Sequence, residues 1–191
     1  MEGVLVPEIW IAFSEVTGIP EFRRTTRDEP DYDKLMNYRI DLLDKHGLGL
    51  KEIQDTIAKI DPFPGAKEFL DELREITQVV ILSDTFTQFA SPLMKKLAWP
   101  ALYCNELVVT DGKVTGFKMR CPDSKRTTVK ALQSCGFETI ASGDSFNDLG
   151  MIEESKAGFL FRTTEQLKKD YPQYTAYEEY DELLEAIKKA L

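Results

Sequence analysis

The chain has 191 residues, 42% hydrophobic and 30% charged, proportions of an ordinary globular protein that exclude disordered and collagen-like classes. Its 24 basic against 33 acidic residues leave a net charge of -9, which argues against broad electrostatic binding of nucleic acid or anionic membrane and makes any phosphorylated ligand depend on a local positive site. Cys104, Cys121 and Cys135 are odd in number and lack metal-type spacing, no apolar run is long enough to span a bilayer, and no basic segment followed by an apolar one opens the chain, so reduced thiols and a cytoplasmic location are expected.

The opening stretch MEGVLVPEIW reads as the end of a strand and the turn leaving it, with Pro7 and Glu8 starting a helix. From Pro7 to Ile60 only helical patterns follow: PEIWIAFSEVTG, YDKLMNYRIDLLDKHG and LKEIQDTIAKI. Residues 7–60 are therefore expected to form a helical insert after a first strand, with 1–6 and 61–191 as the core. The two prolines of DPFPG (61–65) return the chain to the sheet. AKEFLDELREI from Ala66 is helical, QVVILSDT (78–85) has the aliphatic, β-branched composition of a buried parallel strand, and TQFASPLMKKL from Thr87 is helical again. In LYCNELVVTDGKVTGFKMR, Asp111-Gly112 stands between alternating segments, which signals a hairpin. Beyond it come a helix from Ser124, a strand in ETIASGD (138–144), a helix from Asn147, a strand in AGFLF (157–161) and an amphipathic packing helix from Tyr180. The alternation predicts an α/β fold, a Rossmann-like parallel sheet with helices on both faces.

Two of these strands end in polar clusters, Ser83-Asp84-Thr85 and Gly143-Asp144-Ser145-Phe146-Asn147-Asp148. Ligands gather at the carboxyl ends of strands in open parallel sheets, so both clusters are expected to converge on one crevice. Asp144 and Asp148 bracket a tight turn, which suits oxygen ligation of a hard cation such as magnesium. Lys125 opens a helix between them, whereas Lys130, five residues on, should point elsewhere. Taken singly, each has an ordinary structural reading: Ser83 or Asp84 as a helix cap, Asp144 and Asp148 as turn and cap residues, Lys125 as a solvated cation. What singles them out is their order, strand-SDT, then Lys, then strand-GDxxND.

That order resembles the haloacid dehalogenase superfamily of phosphotransferases, over nearly the whole chain. SDT is similar to its second motif, Lys125 to its third and GDSFND to its fourth, while the helical insert resembles the small cap of the phosphoserine phosphatase branch. EGVLVPEIW, VVILSDTF and GDSFND together are similar to the subgroup of bifunctional phosphoserine phosphatase/homoserine phosphotransferases. The resemblance implies a Mg2+-dependent phosphatase of O-phosphoserine working through an aspartyl phosphate, with homoserine as an alternative acceptor to water. It gives Glu2 the acid–base role, Lys125, Ser83, Asp84 and Asn147 the phosphate, and Asp144, Asp148 and the Glu2 carbonyl the metal. Glu8 and Arg39 match positions that read the ammonium and carboxylate of the amino acid. Glu8 also suits the first turn of a helix as an ordinary dipole partner, and Arg39, flanked one turn away by Leu35, Met36, Leu42 and Leu43, has no same-helix ion pair open to it.

In the family the first strand ends in Asp-x-Asp or Asp-x-Glu before a glycine. Glu2-Gly3 matches the second acid, which puts Met1 at the x position and the nucleophilic Asp one residue earlier. The expectation is that Met1 is an internal methionine of a longer chain, that most of the first strand lies ahead of it, and that residues 1–191 alone are inactive. Two alternatives stay open: a phosphatase of another small phosphomonoester, and a non-catalytic binder of phosphorylated metabolites.

Overall fold

Near Met1 the chain makes a turn anchored by one bridge. Glu2 and Val6 pair in isolation, the Leu5 amide donates to the Met1 carbonyl at 2.8 Å, and the Gly3 amide donates to the Val6 carbonyl at 2.9 Å. The computed structural model describes residues 1–26, 28–29 and 31–191. Helices follow as the 3.6-residue periodicity requires: α1 (Ile9–Thr17), a 3-10 turn (Pro20–Arg23), α2 (Tyr32–Lys45) and α3 (Leu50–Ile57). The Asp31 carboxylate starts α2 by accepting the Lys34 amide at 3.1 Å.

Helix α4 (Ala66–Ile76) leads into β1 (Val80–Phe86), which passes directly into α5 (Thr87–Met94). The expected hairpin is β2 (Ala101–Thr110) and β3 (Lys113–Lys118). Its turn has positive φ at both central residues, 50° at Asp111 and 79° at Gly112, as a two-residue turn matched to strand twist demands. Then come α6 (Ser124–Ser134), β4 (Ile140–Gly143), a 3-10 turn (Phe146–Asp148), α7 (Leu149–Glu154) and β5 (Ala157–Phe161). Two elements without a clear sequence signal precede the last helix: α8 (Glu165–Asp170) and β6 (Ala176–Tyr177), both too short to display a period. The amphipathic α9 (Tyr180–Ala190) closes the chain.

Among the described residues the strands form two sheets of three, β1-β2-β3 and β4-β5-β6. The β1–β2, β4–β5 and β5–β6 pairs are parallel and the β2–β3 hairpin is antiparallel. The single parallel sheet read from the sequence is thus divided, with β1 and β4 each at an edge. Helix α6 packs on β1 and α7, α7 on β4 and β5, and α9 on β5, β6 and α4.

One apolar cluster joins the helices of residues 9–57 to the β1 sheet. Trp10 stacks on Phe22 at 5.7 Å between ring centroids and meets Phe89 edge-on at 5.5 Å, and Phe89 in turn meets Phe86 at 5.5 Å. A second cluster, built from Val129, Leu149, Met151, Ile152, Leu160 and Leu167, lies under the β4 sheet.

Candidate functional site

The polar ends of β1 and β4 meet at Lys125. Its ammonium is buried and lies 2.6 Å from Asp148 Oδ1 and 3.0 Å from Asp84 Oδ2, so one cation ties the two strand ends together. Burial works against the Lys125 charge, but the Asp148 and Asp84 carboxylates outweigh it and leave its proton held more tightly than usual. For Asp148, burial works to raise the carboxyl, and Lys125 reverses that, holding it below the usual carboxylate range.

Asp148 is the organiser of the second turn. Its Oδ2 accepts the Asp144 amide at 2.9 Å, the Ser145 amide at 3.1 Å and the Ser145 hydroxyl at 3.1 Å. With Oδ1 on Lys125, both oxygens are engaged by protein, and Asp148 shapes the loop. Gly143 admits this close approach, because a Cβ there would collide with the Asp148 side chain.

Asp84 carries more contacts than its motif suggests. Asn147 Nδ2 donates to its Oδ2 at 2.6 Å, and the Ser124 hydroxyl lies 3.4 Å from its Oδ1. Asn147 is also bonded to the Ser145 hydroxyl. The Asp84 carboxylate therefore occupies the same Lys and Asn donors that an oxyanion would use. Ser83, also buried, accepts the Thr85 amide at 3.3 Å through its hydroxyl. Lys130 points away as expected and pairs with Glu154 at 3.5 Å. A cavity of about 660 Å³ opens over Asp84, Lys125 and Asn147, with Met119, Arg120 and Phe146 among its other walls.

Glu2 and Asp144 complete the polar group around Asp148. Glu2 Oε2 accepts the Ile9 amide at 2.9 Å, which fixes the carboxylate against the first turn of α1. Gly3, at φ +76°, lets the chain pass the Asp144 carboxylate, which a Cβ would strike. Burial and then the neighbouring Asp148 push the Asp144 carboxyl up to about 6, so it is an oxygen donor short of positive charge. Among the described residues no three His, Cys, Asp or Glu side chains gather into a ready-made cage. One carboxylate supplemented by main-chain and ligand oxygens fits magnesium, which characteristically takes few protein carboxylates and completes its shell with water and phosphate.

Arg39, on α2, is buried with its guanidinium 4.6 Å from the centre of the Trp10 ring. One terminal nitrogen donates to the Arg24 carbonyl at 2.7 Å, and Nε has no hydrogen-bond partner among the described residues. Burial pushes its pKa down to about 10, opposed by Tyr32, Glu2 and Glu8, so it is charged at neutral pH. Glu8, exposed at the start of α1, is thus near enough to Arg39 and to Asp144 to be felt by both.

The sequence reading missed Tyr32, Asn105 and Ser124. The Tyr32 hydroxyl donates to the Asp84 carbonyl at 3.0 Å, and buried Asn105 donates to the same carbonyl at 3.2 Å. Tyr32 shares a helix face with Arg39 at a spacing of seven, the one sequence signal that pointed toward it.

A family profile described as haloacid dehalogenase-like hydrolase matches residues 9–156. The chain is 50% identical, over all of its 191 residues and 93% of the relative's length, to "Phosphoserine phosphatase ThrH" of Pseudomonas aeruginosa. It is 49% identical over 191 residues, 81% of the relative, to a phosphoserine phosphatase of Pseudomonas syringae pv. tomato. Among solved structures, a substrate-bound phosphoserine phosphatase complex superposes with a TM-score of 0.80 over 97% of this chain and 94% of the other, at 22% identity. An apo phosphoserine phosphatase gives 0.77 over 98% and 94%, at 23% identity.

Proposed function

The chain belongs to the haloacid dehalogenase-like hydrolases, and from that premise we propose that it is a magnesium-dependent phosphatase of O-phosphoserine, able to pass the phosphoryl group to homoserine. The observation that carries this reading is Lys125 bridging Asp84 and Asp148, which gathers a cation, an amide and a hydroxyl where the strand ends open into a cavity.

Phosphoryl transfer asks for charge neutralisation and in-line positioning more than for covalent chemistry by many groups. Lys125, Asn147 and Ser83 hold the phosphate oxygens, and the Asp84 carboxylate yields its place on Lys125 and Asn147 as phosphate enters. The attacking carboxylate belongs, in this reading, to an Asp immediately ahead of Met1. Glu2 protonates the leaving alkoxide and then deprotonates the incoming water or alcohol, its carboxylate aimed by the Ile9 amide. Asp144 and the Glu2 carbonyl would hold the magnesium ion, which neutralises charge on the phosphoryl group when bound.

The helices of residues 7–60 form the cap that selects the amino acid, with Arg39 taking its carboxylate and Glu8 its ammonium. An arginine fork suits a planar carboxylate, and Arg39 Nε, unpartnered among the described residues, is a donor with capacity to spare.

The test is phosphate release from O-phosphoserine, with and without magnesium, by a chain carrying an upstream strand and Asp joined to Met1. Release that requires magnesium and is lost in Lys125→Ala supports the reading, while no release from phosphoserine defeats it. Adding homoserine and following O-phosphohomoserine by phosphorus NMR tests the acceptor: its absence removes the transfer step and leaves the phosphatase. Release from other small phosphomonoesters but not from phosphoserine would move the substrate elsewhere.

A further inference from the structure

Tyr32 opens the helix that carries Arg39, yet its hydroxyl ends on the strand that carries the phosphate-side residues, donating to the Asp84 main-chain carbonyl at 3.0 Å. The carbonyl is held a second time by Asn105 Nδ2 at 3.2 Å, and Asn105 is itself fixed because its Oδ1 accepts the Arg120 amide at 3.0 Å. Asp84 is thus pinned from the sheet side by Asn105 and from the α2 side by Tyr32. The Tyr32 ring meets Phe117 of β3 edge-on at 6.2 Å, so the aromatic body is placed by packing alone. The hydroxyl is not needed to fill that space, nor to satisfy the Asp84 carbonyl, which Asn105 already bonds. What it adds is a fixed distance between one end of α2 and the phosphate-side strand. Arg39 lies two turns further along α2 on the same face, and burial already favours an uncharged Tyr32 that donates rather than ionises.

We propose that the Tyr32 hydroxyl is a positioning group that sets the separation between Arg39 and the Asp84–Lys125–Asn147 cluster, and so selects ligands whose carboxylate stands at the phosphoserine distance from the phosphate. This rests on the reading of Arg39 as the carboxylate contact. Tyr32 touches neither the phosphate nor the carboxylate; it acts through α2.

The experiment is calorimetric titration of the chain and of Tyr32→Phe with O-phosphoserine, with phosphoethanolamine, which lacks only the carboxylate, and with inorganic phosphate. EDTA is present so that nothing is turned over. The parent is expected to prefer phosphoserine over phosphoethanolamine by about tenfold or more, the return on one charge-assisted contact. Tyr32→Phe is expected to shrink that ratio about fivefold, the worth of one neutral hydrogen bond, with the affinity for inorganic phosphate changed by less than about twofold. A ratio unchanged in Tyr32→Phe overturns the positioning role and leaves Arg39 as the carboxylate contact. A parent without preference overturns the Arg39 reading and this inference with it. Equal losses for all three ligands, or a Tyr32→Phe protein that does not fold, assign the hydroxyl to stability alone and overturn the proposal.

Discussion

Lys125 shows how much a single side chain carries here. It is buried between two carboxylates, one of them buried as well, and removing one partner of such a group leaves uncompensated charge in a low-dielectric place. Lys125→Met is therefore expected to lose about 3–5 kcal/mol of stability, read from urea unfolding, in addition to any loss of phosphate binding. Asp148→Asn in the Lys125→Met background should recover part of the loss, because it removes one of the stranded charges. The thiols offer a second residue-scale test. Burial raises the Cys104 thiol, against a contact with the Thr87 hydroxyl that works the other way, whereas Cys135 is exposed. Iodoacetamide labelling followed by mass spectrometry should thus modify Cys135 well before Cys104. The Lys, Asp and Asn of the cluster were legible from spacing; their mutual engagement was not, since hydrogen-bond partners are chosen by approach in space. Tyr32 and Asn105 went unread for the same reason: each acts on a main-chain carbonyl, which has no sequence signature.

Elements built from local rules were the most legible. The hairpin was signalled by Asp111-Gly112, and the turn takes the left-handed backbone that this pair tolerates. The same turn docks on the α3 start, where the Leu50 amide donates to the Gly112 carbonyl at 2.9 Å, and Lys113 reaches Asp44 on α2 at 2.7 Å. Gly112→Ala is expected to cost about 1 kcal/mol through the left-handed backbone, read as a lower urea midpoint with unchanged slope. Gly3→Ala should cost more, because the added Cβ meets the Asp144 carboxylate as well as the positive φ. On the proposed role of Asp144 as a metal ligand, its signature is weakened magnesium binding in calorimetry alongside the lower midpoint. The 3-10 turn of Pro20–Arg23 and the short α8 and β6 were not legible, since so few residues cannot show a period and their form is set by neighbours.

At the scale of the molecule, the helices of residues 9–57 share an apolar cluster with the β1 sheet, with Trp10 and Phe22 continuous with Phe89 and Phe86. They should therefore unfold together. Trp10 is 6% exposed and Trp99 is 68% exposed, so fluorescence reports mainly on the helical part and far-UV circular dichroism on the whole; the two urea transitions are expected to coincide. An earlier fluorescence transition would mean that the helical part melts alone. No helix among the described residues is long and apolar enough to cross a membrane. The sequence by itself determined the α/β class and the order of the longer helices and strands, because periodicity and turn chemistry act over short stretches of chain, and it singled out Asp84, Lys125, Asp144, Asn147 and Asp148 through motif order and family resemblance. Only the tertiary structure decided the division into two sheets, the engagement of both Asp148 oxygens, one by the loop and one by Lys125, the seat of Arg39 on Trp10, and the reach of Tyr32 to a strand 52 residues away. Those are contacts between distant segments, fixed by packing and burial that no local pattern encodes.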